Sequence, residues 1–215
     1  MPFAQDRDLA TLDPIIFRDV LWTGQTLTRG EGLITGTVLT TVGSPEVPFT
    51  QTTITEGHIV NIGGFILEVE AVVSASSLSV SVLRPTTTTP AEQPRQTDTL
   101  PFTIVTFRPQ IAWVHRQLLH ALGLRAEGEP GDGPAESAVT NPADLARVEA
   151  LGALALIYSA AGALEAADSP NNQRAAMYRR RFTDERARTT ALLDTDGDAL
   201  PDSSRRFTTF PLTRA

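Results

Sequence analysis

The densest run of chemistry-bearing side chains lies near the C-terminus: Asp194-Thr195-Asp196-Gly197-Asp198-Ala199-Leu200-Pro201-Asp202. Aspartates at alternate positions let a tight loop wrap hard oxygen donors around a cation such as Ca²⁺, so Asp194, Asp196, Asp198 and Asp202 are the candidate metal ligands. The run departs from the full calcium-loop pattern. Ala199 stands where that pattern has glycine, and Arg205 stands where it has a bidentate glutamate. The other reading is an aspartate-rich cap and turn, held by neighbouring arginines, with no cofactor.

Other groups are sparse. No P-loop, dinucleotide fingerprint, nucleophile elbow or H-E-x-x-H motif occurs, and cysteine is absent, which removes thiolate metal sites, disulfides and cysteine nucleophiles. The histidines are His58, His115 and His120. The last two, five residues apart on a helix, point about 140° from one another and do not chelate one ion; they read as surface or interface histidines. Glu68 and Glu70 share a strand face, which an exposed polar face explains without catalysis. No catalytic residue is assigned, and the chain reads as a non-enzyme.

Two features point to partners. Arg179-Arg180-Arg181, followed by Asp184 and Glu185, spreads charge around a helix, as a solvated or inter-subunit face would; contact with DNA is the lesser alternative. The terminal stretch SSRRFTTFPLTRA carries Phe207, Phe210 and Leu212 among Arg205, Arg206 and Arg214. Those apolar residues have little sequence around them to bury them, so the stretch reads as an extended segment docking on a partner; the alternative is a tail folded back on its own helices.

Several elements must position these groups. Leu9, Leu12, Ile16 and Val20 recur at helical steps, with Asp13-Pro14 as a cap. From Arg29 the pattern turns to short β-branched runs: GLITGTVLTTV, HIVNI, FILEVEAVVS and SLSVSVLR, where Leu78, Val80 and Val82 alternate with serines. Gly63-Gly64 has the spacing of a two-residue hairpin, and Ser74-Ala75-Ser76 is a second turn. FTIVTF (102–107) is a returning strand, after an exposed Pro/Thr-rich loop at 85–99. Pro109 opens a helix that Gly123 ends. Residues 125–139 read as a mobile loop, Asn141-Pro142 caps a long apolar core helix, and Ser169-Pro170 caps the last one.

The expected fold is α+β. A helical bundle (1–28 and 100–195) is interrupted by a small antiparallel β domain with its Pro/Thr-rich loop (29–99) and followed by an extended C-terminal docking tail (196–215). The 215 residues, 41% hydrophobic, suffice for a packed core. No apolar run of membrane-spanning length, basic leader or lipidation motif is evident, so a soluble protein made in the cytosol, with no membrane partner, is expected. All 18 basic residues are arginine. Residues 170–215 hold nine of them against six acids, and the rest hold nine against nineteen, a polarity suited to head-to-tail docking of unlike surfaces.

The segments DLATLDPIIFRDV, ALGALALIYSAAGALEAAD, YRRRFTDERARTTALLD and DTDGDALPDSSRRF…PLTRA resemble head-to-tail connector adaptor proteins of long-tailed bacteriophages and gene transfer agents. They cover about half the chain and match in helix order and general pattern. The resemblance implies a virion structural protein of the neck: a homo-oligomeric ring, twelve copies, below the portal, with genome DNA passing through its lumen. It implies a C-terminal segment (Arg205, Arg206, Phe207, Phe210, Leu212, Arg214) reaching the portal protein, and an opposite face receiving a stopper or tail-completion protein. Arg179, Arg180, Arg181, Asp184 and Glu185 would sit at subunit contacts. The β segment departs from a compact, all-helical adaptor. A different neck, tail-completion or baseplate component, or a calcium-dependent binding module, are the rival readings.

Overall fold

The β-branched runs between residues 25 and 106 do more than form a small insert. In the computed structural model, which describes residues 2–130 and 133–207, they close into a six-stranded barrel in the order β1-β2-β5-β4-β3-β6. The strands are β1 (Gln25–Thr35), β2 (Val38–Thr41), β3 (Ile59–Ile62), β4 (Phe65–Val72), β5 (Ser77–Val82) and β6 (Thr97–Thr106). All neighbours pair antiparallel, and β6 closes the ring by pairing with both β1 and β3. Closure leaves no unpaired sheet edge.

Alternation along each strand fills the interior. Ile34, Leu39, Val60, Ile62, Leu67, Val69, Leu78, Val80, Phe102 and Ile104 pack there, with Phe49 and Ile54 from the β2–β3 connection. Burial of each such side chain contributes about 1.5–3 kcal/mol. A barrel this narrow is filled by its own side chains and encloses no channel. The β3–β4 turn is Gly63-Gly64, both at positive φ (56° and 89°), the geometry that a two-residue hairpin demands.

The N-terminal helices α1 (Asp6–Leu12) and α2 (Ile16–Asp19) belong to this barrel unit, which comprises Gln5–Arg108. Leu9, Ala10, Ile16, Phe17 and Val20 are buried. Asn61 on β3 donates to the Phe17 carbonyl at 2.9 Å, and Phe17 meets Phe107 edge-on at 5.1 Å between ring centres. That cover explains why Ile59 and Val105, on the outer face, are also buried.

The second unit holds residues 1–4 and 109–215. Its helices are α3 (Arg108–Leu122, the first residue counted with the barrel), α4 (Pro142–Ala161) and α5 (Pro170–Arg188), followed by a hairpin of β7 (Thr190–Leu193) and β8 (Ser203–Arg206). Asn141 precedes α4 without a side-chain capping bond to the amides of its first turn, whereas Ser169 caps α5, its hydroxyl accepting from the Asn172 amide at 3.2 Å. The α4 stretch is long and apolar enough to cross a bilayer by length and composition, yet 72% of that window is buried within the protein, as in a core helix. Gly152 permits its neighbours to approach: an added Cβ would stand 2.7 Å from Val114 on α3 and 3.0 Å from Phe182 on α5.

The expectation of a helical bundle with a small β insert is therefore corrected to a mixed protein with a closed barrel. Hydrophobic spacing identified the α1 and α2 region as helical but could not assign it to a unit, and it serves the barrel. The β region is also longer than expected, because β6 begins at Thr97, inside the stretch read as loop. Ser81 is buried while Val82 is exposed, the reverse of the alternation expected there, because Glu92 folds back: its carbonyl accepts from the Val82 amide, and its amide donates to Ser81 Oγ. The tail expected to be extended from residue 196 instead returns as β8, in register with β7 from Thr190↔Arg206 to Leu193↔Ser203.

Candidate functional site

The aspartate run forms the loop between β7 and β8. Asp194, Asp196 and Asp202 each offer a carboxylate oxygen within 4.8 Å of the others; Asp198 lies outside this group. The loop is organised by its own amides. Asp194 accepts from Gly197 and Ala199 N–H (2.7 and 2.8 Å), and Asp198 accepts from Leu200 N–H (2.8 Å). Asp202 Oδ2 accepts from both the amide and hydroxyl of Thr195 and from the Asp196 amide, and the Thr195 amide leads in holding Asp202 below the usual carboxylate range. These donors stabilise the carboxylates' charge and fold the turn through its own amides. Ala199 sits at φ +67°, in the left-handed region, at the position where the calcium pattern has glycine.

Arg205 does not reach outward. Its Nη1 donates to the Leu122 and Gly123 carbonyls at 2.7 and 2.8 Å, satisfying the open carbonyls at the end of α3. Phe207 is buried. Both residues were expected to contact a portal; Arg205 is bonded within the helical unit, because hairpin pairing returns the chain to α3. Arg206 is exposed on β8; Phe210, Leu212 and Arg214 lie outside the described residues.

On α5, the arginine run diverges as its helical spacing requires. Arg179 reaches the Ser159 hydroxyl at 3.2 Å, Arg180 stands 3.9 Å from Asp184, and Arg181 lies over the Tyr178 ring. Glu185 pairs with Arg147 of α4 at 3.5 Å. All five expected interface residues therefore lie on α5, four of them exposed and Glu185 half-buried.

Sequence reasoning missed two buried charge clusters. In the barrel unit, Glu68 on β4 is buried, not on an exposed polar face. It accepts from Arg7 Nε at 3.1 Å and from Arg84 Nε, while Arg84 also reaches Glu70 at 3.0 Å. In the helical unit, His115 is buried rather than at the surface. Its Nε2 lies 2.7 Å from Glu136 and its Nδ1 3.5 Å from Glu149, and Phe3 packs edge-on against the ring. Glu149 Oε2 also accepts the amides of Phe3 and Ala4 at 2.8 and 3.3 Å. Burial pushes Glu149 up, whereas His115 is raised because hydrogen bonds and charge from Glu149 and Glu136 outweigh its desolvation. Glu136 lies in the stretch expected to be a mobile loop and is tied to α3 through His115. No local spacing in the sequence could reveal either cluster, since Arg7 and Glu68 stand 61 residues apart and His115 and Glu136 stand 21 apart.

His58 is fully buried in the barrel unit, and burial lowers it to about 4. Asp6 is also buried. It accepts from Thr106 Oγ1 at 2.6 Å and from the Phe107 amide at 2.8 Å, and burial pushes it up to about 6.

Large apolar side chains remain at the surface, among them Trp22, Val73, Trp113 and Leu164. On the helical unit, α3, α4 and α5 leave a groove of about 200 Å³ lined by Trp113, Leu156 and Phe182, with Gly152 and Ala155 in its wall and Arg179 at its rim. Beside it, a shallow hollow is lined by Trp113, Arg116, Gln117, His120 and Arg186. In comparison with known proteins, no family model, no curated protein and no solved structure matches this chain.

Proposed function

We propose that this chain is a structural subunit of a tailed-phage neck, a connector ring that joins the portal to the stopper or tail-completion protein and surrounds the DNA path. The observation that carries this reading is how charge and apolar surface are divided. The buried ionisable side chains of the two clusters are engaged in ion pairs within their own unit, while aromatic and aliphatic side chains stay uncovered. Such a surface suits assembly, not bond chemistry. Three of the four segments that resemble adaptors fall in the helical unit, and the opening segment falls in the barrel unit. The barrel is then an addition on the ring's periphery.

In this reading the portal-facing residues are Arg206 and the stretch holding Phe210, Leu212 and Arg214, and the ring has twelve copies. The test is genetic. An in-frame deletion of this gene should yield filled heads lacking tails. Removing only residues 208–215, which spares the β7–β8 hairpin, should block attachment of the ring to portals while the circular dichroism of the purified protein is unchanged. Tailed particles from the deletion strain would end the proposal.

A second reading has its own observation, the Asp194–Asp196–Asp202 group: a Ca²⁺ ion would be held there by carboxylate oxygens. Titration of the protein with Ca²⁺ should then release or absorb heat and raise its melting temperature; no heat and no shift would dismiss it.

A further inference from the structure

We infer that copies of this chain associate head to tail by inserting the β7–β8 hairpin tip of one copy into the α3–α4–α5 groove of the next. This rests on the ring reading above and names the contact that builds the ring.

The tip and the groove are complementary in both charge and shape. The tip, residues 194–202, holds four aspartates and no arginine. Within it Leu200 is 64% exposed, flanked by Ala199 and Pro201, so the tip offers one aliphatic side chain in an acidic loop. The groove has the opposite character. Its apolar wall is Trp113, Leu156 and Phe182, and Trp113 is 46% exposed. Arg179 edges it, and Arg116, His120 and Arg186 line the adjoining hollow. None of the described residues lining either hollow is acidic.

An exposed apolar groove with a cationic rim selects an acidic segment bearing a single apolar residue. The groove's wall favours a side chain over a phosphate, which argues for a protein segment and not for nucleic acid. No tip residue lines the groove of its own copy, so the two surfaces are left for different copies. A contact between two unlike patches is heterologous, and repeated by rotation it closes a ring.

The experiment is a mass measurement by sedimentation velocity on the full chain and two variants: a tip variant, Asp198→Arg with Leu200→Asp, and a groove variant, Arg116→Glu with Arg179→Glu. All four positions are exposed, so folding should persist, as circular dichroism would verify. The unaltered chain should form multi-copy species that shrink as salt is raised, because rim charges are screened. Each variant alone should sediment as a single copy. Mixed together they should form a two-copy species and nothing larger, since only one good tip and one good groove remain per pair.

If either variant keeps the full mass, or the mixture stays at one copy, the contact is wrong. The contact also falls if the unaltered chain remains a single copy at its solubility limit, or if it binds a single-stranded oligonucleotide through Arg116 and Arg179 without associating. The ring reading is judged separately. Multi-copy species unaffected by both variants would remove this contact and leave the ring standing. Disrupted association in a protein dispensable for tailed particles would keep the contact and remove the neck assignment.

Discussion

Arg205 Nη1 donates to the Leu122 carbonyl at 2.7 Å, joining β8 to the C-terminal end of α3 across 83 residues. A cation placed on the last carbonyls of a helix satisfies open acceptors and complements the negative end of the helix dipole. The contact makes the hairpin an integral part of the helical unit.

Arg205→Ala should lower stability by about 1–2 kcal/mol, the range for a charge-assisted bond and a terminal dipole contact. Urea denaturation measures the loss, and faster amide exchange at Leu124 would locate it. Stability equal to the parent would show that Arg205 is unimportant to the fold.

Glu68 lies between Arg7 and Arg84 in the barrel unit, all three largely hidden from water. Glu68→Gln leaves two buried guanidinium groups facing a neutral amide, a change that costs about 3–5 kcal/mol when an ion pair is broken from one side. Thermal melting should show a large drop. Replacing Glu68, Arg7 and Arg84 together by apolar residues of similar volume should recover much of it.

Acid and base sensitivity in the barrel unit run in opposite directions. His58 is lowered from 6.5 to about 4, so its contribution is complete above pH 6.5 and is lost as pH falls toward 4. Asp6 is raised from 3.8 to about 6, so its contribution is complete below pH 3.8 and is lost as pH rises through 6. Each shift corresponds to roughly 3 kcal/mol, and the two largely offset each other between pH 4 and 6. His58→Gln should unmask the Asp6 slope: amide exchange in β3 and β6 should slow as pH falls across that window, after correction for intrinsic rates. An unchanged profile would refute the assignment.

Ala199 occupies the left-handed region at φ +67°, where a Cβ costs about 1–2 kcal/mol. Ala199→Gly should therefore raise stability, by less than that amount because glycine also gains freedom in the unfolded chain. Differential scanning calorimetry would detect the rise in melting temperature, and a fall would contradict the backbone geometry of the loop.

Local chemistry in the sequence was enough to locate most elements. Gly63-Gly64 announces its hairpin because only positive φ closes a two-residue turn, Ser169-Pro170 announces a helix start, and alternation in residues 58–82 announces strands. The aspartate loop was legible too, since Asx-type bonds reach only a few residues along the chain. Tertiary structure alone decided the rest. Barrel closure depends on β6 finding β1 and β3, pairings set by register and not by any local signal. The units to which Asp6–Asp19 and the C-terminal hairpin belong, and the partners of Glu68, His115 and Arg205, follow from burial between distant segments. A single sequence specifies which residues favour an apolar or paired environment, but the identity of the partner is fixed only when the chain brings remote groups within bonding distance.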